Sequence, residues 1–156
     1  MKLEPGQLAP DFTLYDSSKN KVTLSDFRGQ SVLLLFFPLA FTSTCTTELC
    51  SIRDNLSFYN NVNASVFGIS VDSLHTLAKY KELQNLNFTL LSDFNKDISR
   101  MYGTIYEMFG YNMKGVSKRS AFIIDKIGLI KYVEVLENAN EQPNFKEINL
   151  ILGKMI

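Results

Sequence analysis

The stretch SVLLLFFPLAFTSTCTTELC, Ser31 to Cys50, holds an apolar run, a proline and both cysteines of the chain. Its first seven residues, SVLLLFF, show no polar alternation. A strand wetted on one face alternates, whereas one covered by helices on both faces does not. The run therefore reads as a central strand. Beyond Pro38, residues Leu49, Ile52, Leu56 and Tyr59 recur at spacings of three, four and three, the mark of a helix with one buried stripe.

Outward from this unit, DFTLYDSSKNKVTLSDF alternates around a polar turn and predicts an N-terminal β-hairpin. ASVFGISVD reads as a second buried strand, with Asp72 or Ser73 capping a helix through LHTLAKYKELQN. FTLLSD is short and extended, and KDISRMYG is helical up to Gly103. RSAFIID and LIKYVEV flank a turn at Lys126 to Gly128 and predict a second hairpin. A last helix covers roughly Asn144 to Lys154, with Pro143 near its start. This order predicts an α/β fold, a mixed central β-sheet flanked by helices, in one domain spanning 1–156.

The totals exclude several classes. Sixteen Lys and Arg balance sixteen Asp and Glu, so no strong field collects nucleic acid or an anionic membrane. The run VLLLFF is far too short to span a bilayer, and MKLEPGQLAPDF has no apolar signal core. A cytoplasmic, reducing compartment is expected, where two cysteines are reactive or incidental rather than a permanent staple. The Asn-x-Ser/Thr triplets at Asn55, Asn63 and Asn87 are then chance. Two cysteines and one histidine cannot make a structural zinc site, and neither metal nor cofactor is expected. C-x-x-C and a glycine-rich phosphate loop are both absent.

Chemistry concentrates on Cys45. A helix starting near Thr42 to Thr44 leaves its first amides without internal partners, and its dipole favours negative charge there. A cysteine at that point should lose its proton more readily than a free thiol, and the thiolate is the reactive form. Pro38 sets the chain direction, and Thr42, three residues before Cys45, can turn its hydroxyl to the sulfur or to a ligand atom. Open N–H donors, a hydroxyl and a thiolate suit a peroxide, whose leaving oxygen needs hydrogen bonds. The competing reading is a cysteine that merely packs.

On a helical wheel Cys45 shares the face of Leu49, Ile52, Leu56 and Tyr59, while Cys50 falls on the polar flank with Thr46, Asp54 and Ser57. Five helical steps separate their Cα atoms by about 8.6 Å. A disulfide spans at most about 7 Å. The pair can bond only if the first turn unwinds; otherwise Cys50 is passive. Glu48 is either an ordinary first-turn acid or a proton carrier at the pocket rim. Arg119 is either a strand-end surface residue or a fixed cation that stabilises the thiolate. His75 has a surface or packing role, and Phe109 and Tyr111 line a pocket, a dimer contact or the core.

PLAFTSTC, Pro38 to Cys45, resembles the P-x-x-x-T/S-x-x-C motif of the peroxiredoxin family. GQLAPDFTL is similar to that family's N-terminal hairpin, and FGISVDS and KRSAFIIDKIGLI to its later strands. The resemblance implies a thioredoxin-like fold and a thiol peroxidase reducing hydrogen peroxide and organic hydroperoxides. It makes Cys45 the nucleophile that becomes a sulfenic acid. Pro38 shields it, Thr42 binds and orients the peroxide, Arg119 polarises it, and the amides of Thr44 and Cys45 complete the oxygen site. FPLAFT is similar to the E-type one-cysteine alkyl hydroperoxide reductases. The five-residue spacing to Cys50 is similar to the bacterioferritin comigratory protein group, whose second cysteine resolves the sulfenic acid. The resemblance further implies a monomer or homodimer, resistance to overoxidation, and thioredoxin, glutaredoxin or a low-molecular-weight thiol as reductant. A peroxide-responsive redox sensor or holdase with little turnover is the alternative.

Overall fold

The structure, a computed structural model, describes residues 2–155. The first hairpin is β1 (Thr13–Asp16) against β2 (Lys21–Thr23), antiparallel as the alternation predicts. Strand β3 (Ser31–Phe36) is buried along its whole length. It leads to α1 (Ser43–Asp54), α2 (Leu56–Asn61) and β4 (Ala64–Ser70). There follow α3 (Leu74–Gln84), β5 (Thr89–Ser92) and α4 (Asp97–Met101). A two-stranded ribbon, β6 (Ile105–Tyr106) and β7 (Val116–Ser117), precedes β8 (Ser120–Ile124), β9 (Ile130–Val135) and α5 (Phe145–Lys154).

Seven strands form one sheet in the order β2-β1-β5-β4-β3-β8-β9. Strands β3, β4 and β5 run parallel, and β8 pairs antiparallel with β3, so the sheet is mixed. Alternate residues of β3, with Phe37 just beyond it, feed two cores. Leu33, Leu35 and Phe37 face α1, α2, α3 and α5, and pack with Leu49, Ile52, Tyr59, Leu77 and Ile148. Val32, Leu34 and Phe36 face the other layer, with Phe12, Ile98, Tyr102 and Phe122. The absence of alternation in SVLLLFF follows from these two covered faces. Gly68 on β4 permits close packing, since a Cβ there would sit 2.8 Å from Leu90 Cδ2.

Two expectations change. The stripe through Leu49 to Tyr59 is shared by two helices, because the chain breaks at Asn55 (φ −116°, ψ 18°), whose side chain donates to Ser51 O. Ser73, not Asp72, caps α3 by accepting from Thr76 N. Asp72 instead accepts from Ala40 N at 2.8 Å and Ser70 Oγ at 2.7 Å, tying the loop after β3 to the end of β4. Among the described residues no helix is long and apolar enough to cross a membrane, and no cluster of acidic, histidine or cysteine side chains is placed to hold a metal.

Candidate active site

Helix α1 begins one residue after Thr42, at the C-terminal end of β3. Thr46 N donates to Thr42 O at 3.0 Å, closing the first turn. The Thr42 side chain does not cap it, so the earlier amides, those of Thr44 and Cys45 included, have no acceptor within the helix. The Thr42 hydroxyl donates to Leu39 O at 2.9 Å. Of the two expected contacts, sulfur or a ligand atom, the one with sulfur is not made: the hydroxyl hydrogen holds the loop, leaving its oxygen as an acceptor. Phe41 in that loop has φ +68°, costly for a residue with a Cβ, and its exposed ring packs on Tyr80 at 4.9 Å.

The two cysteines are free thiols in different surroundings. Cys45 has no exposed surface. Arg119, just ahead of β8 and 1% exposed, donates from Nη2 to Cys45 Sγ at 3.1 Å, from Nη1 to Glu48 Oε1 at 2.6 Å and from Nε to Ala139 O at 3.1 Å. All three guanidinium nitrogens are thus fixed, and the surface alternative for Arg119 falls. Burying this cation is tolerated because it is paired and each of its nitrogens has a hydrogen-bond partner.

Glu48 lies where neither expectation placed it. It lies past the first turn of α1 and is completely buried, so it is neither a dipole-compensating surface acid nor a rim residue. Burial pushes its carboxyl up to about 7, against the pull of Arg119. Its second oxygen, Oε2, has no partner among the described residues. The signal for this pairing was the i, i+3 spacing from Cys45, which puts both side chains over one stretch of helix.

A cavity of about 180 Å³ lies over this cluster, lined by Pro38, Thr42, Ser43, Thr44, Phe109, Arg119, Ala139 and Asn140. Cys45 contributes no surface to it; Arg119, which touches the sulfur, does. The guanidinium therefore connects the buried sulfur to the opening. Phe109 is half-buried in this wall, while Tyr111 is 99% exposed. The loop after β9, which supplies Ala139 and Asn140, carried no sequence signal. A larger cavity of about 520 Å³, near Leu3, Tyr102, Lys118 and Glu137, is lined by neither cysteine. Cys50 is half-buried, with its S–H donating to Gln84 Oε1 at 3.7 Å. His75 is exposed on α3.

Residues 5–133 match the model of the AhpC/TSA family. The chain belongs to this family, the peroxiredoxins. A putative peroxiredoxin of Mycobacterium tuberculosis is 40% identical over 131 residues, 83% of each chain. Peroxiredoxin Bcp of Escherichia coli is 38% identical over 133 residues, 84% of this chain and 85% of the other. The crystal structure of peroxidoxin BcpB from Mycobacterium tuberculosis superposes with a TM-score of 0.86 at 28% identity, covering 99% of both chains. The fold is thioredoxin-like and the protein is a peroxiredoxin-type thiol peroxidase.

Proposed function

We propose that Cys45 is the peroxidatic nucleophile and that Cys50 resolves its oxidised form. The ionised Cys45 sulfur attacks one oxygen of a hydroperoxide; an S–O bond forms as the O–O bond breaks. The other oxygen leaves as water or an alcohol after taking a proton, and Cys45 becomes a sulfenic acid. The observation that carries this reading is Arg119, whose guanidinium is bonded to the sulfur and which lines the cavity above it. It can hold the peroxide against the sulfur and stabilise the charge on the departing oxygen. The amides of Thr44 and Cys45 supply further donors, and the Thr42 hydroxyl oxygen accepts from the hydroperoxide O–H. Pro38 walls the site, and Glu48 fixes Arg119 through Nη1 while Nη2 meets the sulfur.

The Cys50 sulfur then attacks the sulfenic sulfur; an S–S bond forms and water leaves. Support comes from the placement of both cysteines on α1 and from the break at Asn55, which lets α1 unwind without carrying α2 along. A dithiol such as thioredoxin, or glutaredoxin or a small thiol, supplies two electrons and returns both cysteines to thiols. Hydrogen peroxide and organic hydroperoxides are the substrates, residues 1–156 act as one domain, and the setting is the cytoplasm, as a monomer or homodimer.

Mass spectrometry after one equivalent of peroxide tests the second step. A loss of two hydrogens within the monomer is expected. A persistent sulfenic acid, or trapping only by added thiol, makes the protein a one-cysteine enzyme.

A further inference from the structure

Helix α1 presents a second face, away from the Cys45 cluster, that is joined to α3 by polar bonds. Thr46, Cys50 and Arg53 are spaced four and three apart and therefore lie on one side of the helix. Thr46 Oγ1 bonds Tyr80 OH at 2.8 Å, Cys50 S–H donates to Gln84 Oε1, and Arg53 Nη1 donates to Gln84 O at 2.6 Å. Asn87 Nδ2 donates to Arg53 O at 3.2 Å and closes the seam from the loop beyond α3.

The rungs are unequal. Gln84 is the last residue of α3, so its carbonyl has no partner within that helix. A guanidinium there meets both an orphan acceptor and the negative end of the helix dipole. The Arg53 bond is charge-assisted and short, whereas the Cys50 bond is a weak thiol donor at 3.7 Å. The Cys45 end of α1 is held independently by Arg119. Bringing the two sulfurs together therefore requires the Cys50 half of α1 to leave α3.

We infer that Arg53 is a positioning residue that latches the second half of α1 to the end of α3 and thereby sets how fast Cys50 reaches the oxidised Cys45. This rests on the resolving role proposed for Cys50. The latch keeps α1 helical while peroxide reacts, and its release precedes the disulfide. A tight latch lengthens the life of the sulfenic acid, so a second peroxide competes better to form sulfinic acid.

The test compares wild type with Arg53→Met, Arg53→Lys, Tyr80→Phe and, as a control at the far end of α3, Ser73→Ala. Each reduced protein is mixed with hydrogen peroxide, acid-quenched and followed by intact mass. Amide exchange of residues 46–54 is measured in the reduced state. Losing a hydrogen bond to a charged, partly exposed group predicts a disulfide forming about three- to tenfold faster in Arg53→Met, with exchange of 46–54 faster by a similar factor. Sulfinic acid then needs several-fold more peroxide. Arg53→Lys, which can still donate to the Gln84 carbonyl, falls near wild type, Tyr80→Phe shows a smaller acceleration, and Ser73→Ala leaves the disulfide rate unchanged.

Equal or slower disulfide formation in Arg53→Met overturns the latch; slower formation means that the guanidinium instead supports a Cys50 thiolate. An acceleration by Ser73→Ala as large as that by Arg53→Met also overturns it, because general loosening then suffices. No disulfide in wild type overturns the resolving reading and this inference with it, whereas disulfide in wild type at an unchanged variant rate removes the latch alone.

Discussion

Cys45 and Cys50 sit on one helix, and the sheet-facing and α3-facing sides of that helix treat them oppositely. Cys45 is sealed from solvent and gripped by a guanidinium whose other nitrogens are fixed by Glu48 and Ala139. Cys50 is half-buried and makes one long thiol bond to a glutamine. The first bed is charged and costly to rearrange; in the second, the bond to Cys50 itself can be exchanged for water at little loss, and the one charge-assisted rung is Arg53. A nucleophile must be held against its substrate, while a resolving group must travel, and the two sides of α1 meet these opposite demands.

The strongest way to break the comparison is to remove the grip. Arg119→Met should slow the reaction of Cys45 with peroxide about a hundred- to a thousandfold, the range seen when a donor to a developing oxyanion is lost. Stopped-flow peroxide consumption measures it; a change below about threefold removes Arg119 from the transition state. The complementary substitution, Cys50→Ser, should leave the first oxidation of Cys45 unchanged. It should reduce turnover with thioredoxin and allow sulfenic and then sulfinic acid to accumulate, visible by mass. Unaltered turnover would mean that an external thiol resolves the enzyme.

Glu48 sharpens the contrast through pH. Its folded value is raised, from 4.5 to about 7, so the protonated carboxyl is the form the native state favours. The associated stability is fully present below pH 4.5 and is lost as pH rises through about 7. Glu48→Gln should flatten this decline, worth on the order of 3 kcal/mol across the window. Denaturant midpoints between pH 4 and 8 test it, and parallel curves for the two proteins contradict the burial argument. The smallest effect expected is from Ser73→Ala, about 1 kcal/mol from the lost cap of α3, with no change in peroxide reactivity.

Much of this was legible in the chain. SVLLLFF announced a strand covered on both faces because burial on two sides removes alternation. The hairpins, the start of α5 near Asn144 and the choice of Asp72 or Ser73 as the cap of α3 followed from short-range patterns that hold wherever the segment packs. Cys45 and Arg119, distant in sequence, came through the motif and strand that resembled a family. What stayed hidden depends on tertiary partners. The break at Asn55 interrupts a stripe whose spacing is that of one helix. Glu48 read as a first-turn acid or a proton carrier at the rim until Arg119 arrived from the start of β8, beside β3, and the Thr42 hydroxyl hydrogen serves its own loop. The seam from Thr46, Cys50 and Arg53 to α3 needed both helices in place, since nothing in either segment alone names the other.

The central claim is that one sulfur performs the attack on peroxide. Hydrogen peroxide consumption by reduced Cys45→Ser, measured beside wild type with the same reductant, tests it most directly. The account predicts that the variant falls to the rate of reductant alone while remaining folded. Consumption at the wild-type rate would contradict it.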